Sequence, residues 1–255
     1  KSTTLATMVD HINNNRSCHI ISIEDPIEYV HRDRKSIINQ REIGVDTDSF
    51  VDSLRAALRQ DPDVIMVGEM RDLETIDIAL TAAETGHLVL STLHTVDAIE
   101  TVNRIVSVFP PHQQKQIRIQ LSGVLKGIIS QRLMPTPDGE KRVPAVEIMV
   151  STSRIKSCIE DKDKTKEISD AIAKGHTTFG MQSFDQSIMG LYEQKLITYE
   201  EALRQASNPD DFALRLKGVS STTDTGWEEF NKAKGEGKRE ADASEPPADD
   251  GIERF

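Results

Sequence analysis

Four clusters in the first hundred residues combine a lysine, hydroxyls, acids and histidines at spacings that suit work on a phosphate. Lys1-Ser2-Thr3-Thr4 has the form of the closing residues of a phosphate-binding loop, G-x-x-x-x-G-K-[ST], without its glycines. Read so, Lys1 lies against the β- and γ-phosphates of a nucleotide. Ser2 binds magnesium, at the start of a helix that already favours anions. Glu24-Asp25-Pro26-Ile27-Glu28 puts three acids within five residues, a set able to align water against a terminal phosphate. Asp61 to Asp72 runs through Val64-Ile65-Met66-Val67 into Gly68-Glu69, with an acid where magnesium or its water shell would sit. Gly86 to Thr95 ends in Leu93-His94-Thr95, and His94 is placed to sense charge on a γ-phosphate. Each cluster alone has a plainer reading: an ordinary Lys-Ser pair, a solvated acidic turn, a helix N-cap (expected of Asp72), a structural histidine (expected of His87). Four strand-end motifs in this order are far more specific than any one of them.

The elements that must hold these clusters are legible as alternating short strands and amphipathic helices. His19 to Ile23, Val64 to Val67 and Leu88 to Leu93 are β-branched or apolar runs that read as buried parallel strands. Leu5, Met8, Val9 and Ile12 give a helical stripe after the lysine. Phe50, Leu54, Ala57 and Leu58 give another, and Ile76, Ala79, Leu80 and Ala83 a third. The expected fold class is α/β, with a doubly wound parallel sheet over residues 1–150. In such sheets ligands bind at the carboxyl ends of strands, where all three later clusters fall. From 151 to 219 the pattern is helical, with Ser183-x-x-Gln186 and Thr198-x-x-Glu201 as capping boxes and Asn208-Pro209 as a helix start. Residues 220–255 lose periodicity and gain Gly, Pro, Lys and acids, and are expected to be a disordered acidic tail.

Bulk properties narrow the function further. A net charge of −11 argues against nonspecific nucleic-acid binding, which needs a basic face. Cys18 and Cys158 are far apart and form no metal-ligand spacing, so both read as buried, reduced thiols. No run reaches the roughly 18 apolar residues of a membrane span.

The four clusters, together with Leu54-Arg55-Ala-Ala-Leu-Arg59-Gln-Asp-Pro-Asp63, closely resemble the secretion ATPases of type IV pili, specifically the PilT-like retraction motors. The resemblance covers about residues 1–218. It implies a RecA-like core, ATP and magnesium, and a homo-hexameric ring, or one mixed with a paralogous ATPase. It also implies an inner-membrane pilus platform protein as partner, a place at the cytoplasmic face of that membrane, and no direct nucleic-acid contact. By it, Glu28, Glu69 and His94 are catalytic: a general base, the holder of the magnesium shell and a γ-phosphate contact. Lys1, Ser2, Thr3, Glu24 and Asp25 bind the nucleotide, and Ser2 and Glu69 serve magnesium. Arg71, Arg104 and Arg132 are candidate cations for a site completed across a subunit interface, against the plainer reading of surface arginines. The related extension ATPases carry a tetracysteine zinc insertion that two isolated cysteines cannot build, which favours retraction. The family pattern also implies a longer gene product, with the P-loop glycines and an N-terminal PAS-like domain.

Two rivals remain within reach of the sequence. Phe179 to Ser187 and the acidic tail resemble the PilU-type paralogue, an accessory ring subunit with weak or no independent activity. Thr152 to Glu160 keeps only a trace of the helix that follows the core in PilT-like chains. The other rival is a RecA-like nucleic-acid or conjugation motor. Filter binding with DNA separates it: the pilus reading expects no tight complex, whereas tight binding that falls with salt would favour the rival.

Overall fold

The computed structural model describes residues 1–216 and the pair Glu253–Arg254. The expectation of a disordered tail over 220–255 otherwise falls outside the described residues. The strands are β1 (His19–Glu24), β2 (Tyr29–Val30), β3 (Ile37–Glu42), β4 (Val64–Val67), β5 (Leu88–Ser91), β6 (Gly127–Pro135), β7 (Arg142–Val150) and β8 (Glu253–Arg254). The helices of the first half are α1 (Ser2–Asn15), α2 (Phe50–Ala57), α3 (Leu73–Glu84), α4 (Ala98–Ser107) and α5 (Gln114–Val124). Then follow α6 (Ser153–Glu160), α7 (Ile168–Lys174), α8 (His176–Phe179), α9 (Phe184–Glu193), α10 (Tyr199–Gln205) and α11 (Pro209–Leu216).

Contacts divide the chain into two compact units. Among the described residues the first takes Lys1–His94, Ile105–Val124 and Glu253–Arg254; the second takes Thr95–Arg104 and residues 125–216. In the first, an all-parallel sheet has the order β3-β1-β4-β5. Its strands alternate their side chains between two covered faces. Ile20, Val64, Met66 and Leu90 pack with Leu5 and Val9 of α1, while Ile21, Ile23, Ile65 and Val67 pack with Leu54 and Ala57 of α2 and with Ala79 and Ala82 of α3. The doubly wound α/β core read from the sequence is therefore what the first unit contains. Because β3 lies on one side of β1 and β4 on the other, the strand order reverses between β1 and β4. A crevice at their carboxyl ends follows from that reversal.

The edge strand β3 was not foreseen, and the strand expected over Leu88 to Leu93 ends at Ser91. Its end is set by Thr92, whose hydroxyl donates to Gly68 O at 2.7 Å and whose carbonyl accepts from Met70 N at 3.1 Å, so the chain leaves the ladder. Cys158 is buried and Cys18 only partly so, because Cys18 precedes β1 and its sulfur lies 3.2 Å from Ser36 Oγ.

In the second unit, β6 and β7 form an antiparallel hairpin from Gly127↔Val150 to Pro135↔Arg142. Met134 and Ala145 on its inner face pack with Phe184, Ile188, Ile197 and Phe212 from the helices that follow. The sequence reading carried the sheet pattern through 150. The contacts instead separate this hairpin from the parallel sheet: among the described residues no strand of that sheet pairs with β6 or β7. From Ser153 to Leu216 the chain is helical, as expected. Ser183 and Gln186 form the reciprocal capping box. Thr198 is only half of one: its hydroxyl accepts from Glu201 N at 3.2 Å, while the Glu201 carboxylate takes Gln205 at 3.1 Å and Arg204 at 2.5 Å instead.

Asp72 caps α3 as anticipated, accepting the Thr75 N–H and hydroxyl, each at 2.8 Å. Burial opposes its charge, but these donors prevail and hold its carboxyl below the usual range. A depressed folded pKa stabilises the fold above the ordinary carboxylate range, and that share disappears as pH falls through the folded value. Replacing Asp72→Ala is therefore expected to cost about 1 kcal/mol near neutral pH. In denaturant titrations the gap from wild type should close on acidification.

Candidate functional site

β1 and β4 end side by side, and the acids Glu24, Asp25 and Glu69 stand at or within two residues of those ends. Gly68 N donates to Ile23 O at 2.8 Å, which holds the two ends together. A Cβ at position 68 would stand 3.3 Å from that same carbonyl and 3.5 Å from Glu24 Cα. A side chain there would press on the Ile23 carbonyl by a few tenths of an ångström, so glycine eases the approach. Past it, Glu69 turns toward a cavity of about 280 Å³ at the strand ends, which is also lined by Lys1, Ser2, Glu28 and His94. That volume is near the lower bound of small-molecule pockets, about the size for part of a nucleotide.

Four side chains form a continuous polar chain. Arg71 Nε meets Glu69 Oε1 at 2.6 Å, Glu69 Oε2 faces His94 Nε2 at 3.4 Å, and Lys1 Nζ donates to His94 Nδ1 at 3.1 Å. Lys1 Nζ also lies 3.4 Å from His94 Nε2, and because an ammonium only donates, the imidazole is the acceptor in its contact with Lys1. The Glu69 side chain is 16% exposed, whereas those of Arg71 and His94 are 73% and 67% exposed. Ion pairs this open contribute little to stability. The network is instead available to a ligand that offers better partners.

On the other wall Ser2 Oγ donates to Glu28 Oε1 at 2.7 Å. Lys1 and Ser2 open α1, whose first-turn amides point out of the helix end and favour an anion there. Lys1, Ser2, Glu28, Glu69 and His94 are therefore brought together around one cavity.

The remaining candidates stand differently. Asp25 lines the cavity and is exposed. Glu24 also lines it, but its Oε1 already accepts from Ser22 Oγ at 2.7 Å and Gln40 Nε2 at 3.0 Å. Burial raises the Glu24 carboxyl above its usual range, against the pull of these two donors. Thr3 points its hydroxyl at the Tyr29 hydroxyl, 2.8 Å away, and is not part of the cavity wall. Arg132 stacks on Phe184, 3.9 Å from the ring centre, and donates to Gln205 O at 3.0 Å; it is a packing residue of the second unit. His87 bonds Ala82 O at 2.9 Å, the structural role anticipated for it.

Sequence reasoning missed the residues that hold the acidic loop in place. Gln40 and Glu42 come from β3: Gln40 donates to Tyr29 O at 2.9 Å as well as to Glu24, and Glu42 Oε2 accepts Ile27 N at 3.0 Å. Nothing in the run Ile-Ile-Asn-Gln-Arg-Glu flags such a role.

Residues 1–206 match the family described as type II/IV secretion system protein. The chain belongs to that family. The type IV pilus retraction ATPase PilT of Pseudomonas aeruginosa is 50% identical over 212 residues, covering 83% of this chain and 61% of that protein. The type IV pilus ATPase PilU of the same organism is 46% identical over 225 residues, covering 88% and 58%. A crystal structure of the pilus retraction motor PilT with bound ADP superposes with a TM-score of 0.75 at 53% identity, covering 82% of this chain and 59% of that one. The chain thus spans about three-fifths of the length of these relatives. Among the described residues no helix is long and apolar enough to cross a membrane.

Gly68→Ala tests the close approach. Ile23 O is strand backbone and cannot yield cheaply, so the added methyl is expected to destabilise the protein by about 1–3 kcal/mol, read by chemical denaturation. An unchanged midpoint would show that β1 and β4 have room to part.

Proposed function

We propose that this chain is the catalytic part of a PilT-like ATPase that hydrolyses ATP to draw in type IV pili, acting in a hexameric ring against an inner-membrane platform protein. The observation that carries the reading is the convergence of four separate strand-end and helix-start motifs on one cavity. The name of the PilT relatives and the ADP reported in the PilT crystal structure support it.

In this reading the Lys1 ammonium leaves His94 for the phosphate oxygens, and the α1 amides take further charge. His94, relieved of Lys1, donates toward the γ-phosphate. Glu28 is exposed at the cavity wall and accepts the proton of the attacking water. Glu24 braces the loop that carries Glu28. Arg71, held by Glu69, is a further cation beside Lys1 to offset charge developing on the transferred group, and arginines of a neighbouring subunit are its natural complement.

The donor set also fits magnesium. Among the described residues no three His, Cys, Asp or Glu side chains cluster as a metal site. That suits an ion which keeps several waters and relies on one or two protein oxygens plus phosphate, here from Ser2 and Glu69. Bound with the nucleotide, magnesium would supply positive charge to the phosphates.

A second reading keeps the ring and moves the chemistry elsewhere. The PilU match, 46% identical over 88% of this chain, stands level with the PilT match, 50% identical over 83%, so the accessory subunit is the alternative to set against the motor. The ATPase rate of the full-length protein decides between them. The motor reading expects turnover that falls by about 10²–10⁴ in Glu28→Gln, with nucleotide still bound in calorimetry. It also expects a comparable loss in Glu69→Ala. A parent protein that forms rings without turnover would make it the accessory subunit.

A further inference from the structure

We propose that Gln40 is a positioning residue for Glu28, its side-chain amide standing in for a neighbouring strand beside the acidic loop. The inference rests on the reading of Glu28 as the base toward the attacking water. Gln40 lies on β3, half-buried, opposite Ser22 of β1. Its Nε2 donates to Glu24 Oε1 at 3.0 Å and to Tyr29 O at 2.9 Å, and its Oε1 accepts from His31 N at 2.9 Å.

The last two bonds have the form of a parallel ladder. There a residue donates its N–H to the carbonyl just before the residue opposite, and its own carbonyl accepts the N–H just after it. The Gln40 amide does both across Val30, between the carbonyl of Tyr29 and the N–H of His31. A primary amide can do so because it carries two donors and an acceptor in one plane. Its other hydrogen is left for Glu24, the residue from which the loop departs. One side chain thus ties the loop where it begins and where it ends.

Glu28 sits between ties. Ile27 N, just before it, donates to Glu42 Oε2 at 3.0 Å, and Tyr29 O, just after it, accepts from Gln40. Residues 40 and 42 are two apart on one strand, so both side chains leave β3 on the same face. The Glu28 carboxylate itself is held by Ser2 Oγ at 2.7 Å. That contact is lost once Ser2 serves magnesium, and the backbone ties must then hold the base. Catalytic groups misplaced by about 1 Å can lose about 10² in rate, so ties on either side of Glu28 have leverage on turnover.

Two substitutions in the full-length protein test this. Gln40→Met keeps the length of the side chain and removes all three bonds. Gln40→Glu keeps the acceptor for His31 N and removes both donors. Each is expected to lower kcat about tenfold or more, with KM for ATP within about twofold. Hydrogen exchange over residues 27–31 should quicken in both, whether or not the parent turns over. In a Glu28→Gln background, Gln40→Met should give no further loss, as expected for one residue acting through the other. A lowered melting temperature with unchanged kcat, a raised KM with unchanged kcat, unaltered exchange, or an additive loss in the double variant would overturn the proposal. Should Gln40→Met not fold, Gln40→Glu decides. If Glu28→Gln alone leaves turnover intact, the reading of Glu28 as the base has failed, and the proposal falls with it.

Discussion

The contact on which the first unit depends is the bond from Gly68 N to Ile23 O at the ends of β4 and β1. It is one backbone hydrogen bond, worth about 1 kcal/mol on its own. Its importance is geometric. The strand order reverses at this pair, so the chain leaves β1 and β4 toward opposite sides and a crevice opens between, and the absent side chain at 68 lets the two ends close up. Glu24 and Asp25 leave from one side of the seam and Glu69 from the other. Thr92 then adds the end of β5 by bonding Gly68 O and Met70 N, which brings His94 to the same mouth. Three motifs distant in sequence are neighbours because three parallel strands stop at one level.

Apart from the neighbouring pair Glu69–Arg71, charge at this mouth is balanced across chain segments. Glu69 takes a cation from Arg71 and faces the ring of His94, which in turn accepts from Lys1; Ser2 occupies Glu28. Each of these partners is a group that a phosphate or its counter-ion would compete for. The resting contacts hold the side chains near their working positions and are weak enough, being exposed, to be exchanged. Glu24 is the exception, since its carboxylate is committed to Ser22 and Gln40. These bonds brace the loop that carries Asp25 and Glu28, while Glu24 itself still lines the cavity.

What the sequence disclosed follows from how strongly each signal was concentrated. Val64 to Val67 is buried at every position, so a continuous apolar run names it a central strand, and the acids after it mark the site. Strand β3 is an edge strand, half-buried, with Asn39, Gln40, Arg41 and Glu42 in its six residues, and no periodicity separates it from a loop. The braces Gln40 and Glu42 were therefore invisible with it. The β6–β7 hairpin buries Ala145, Glu147 and Met149 on one face while Val146 and Ile148 stand on the other. Apolar residues on both faces cancel the alternation that would have announced a hairpin. The reciprocal box at Ser183 and the half-box at Thr198 share one sequence pattern, and only the side-chain partners available to Gln186 and Glu201 distinguish them.

The parallel sheet also dictates when in folding the cavity can exist. Around β1 and β3 the bonded partners lie as little as 18 residues apart, as with Cys18 and Ser36, and across β5 and β4 about 24. The pairing of β1 with β4 joins residues 44 apart, the longest closure among the three ladders. Loop-closure entropy rises with that separation, so this ladder has the greatest entropic barrier to forming early. The seam at Gly68 belongs to it. A nascent chain that has formed β1, β3 and α1 has Ser2 and Glu28 but no Glu69 beside them. The mouth is completed with the least local pairing of the sheet, and a partly folded chain has only one of its walls.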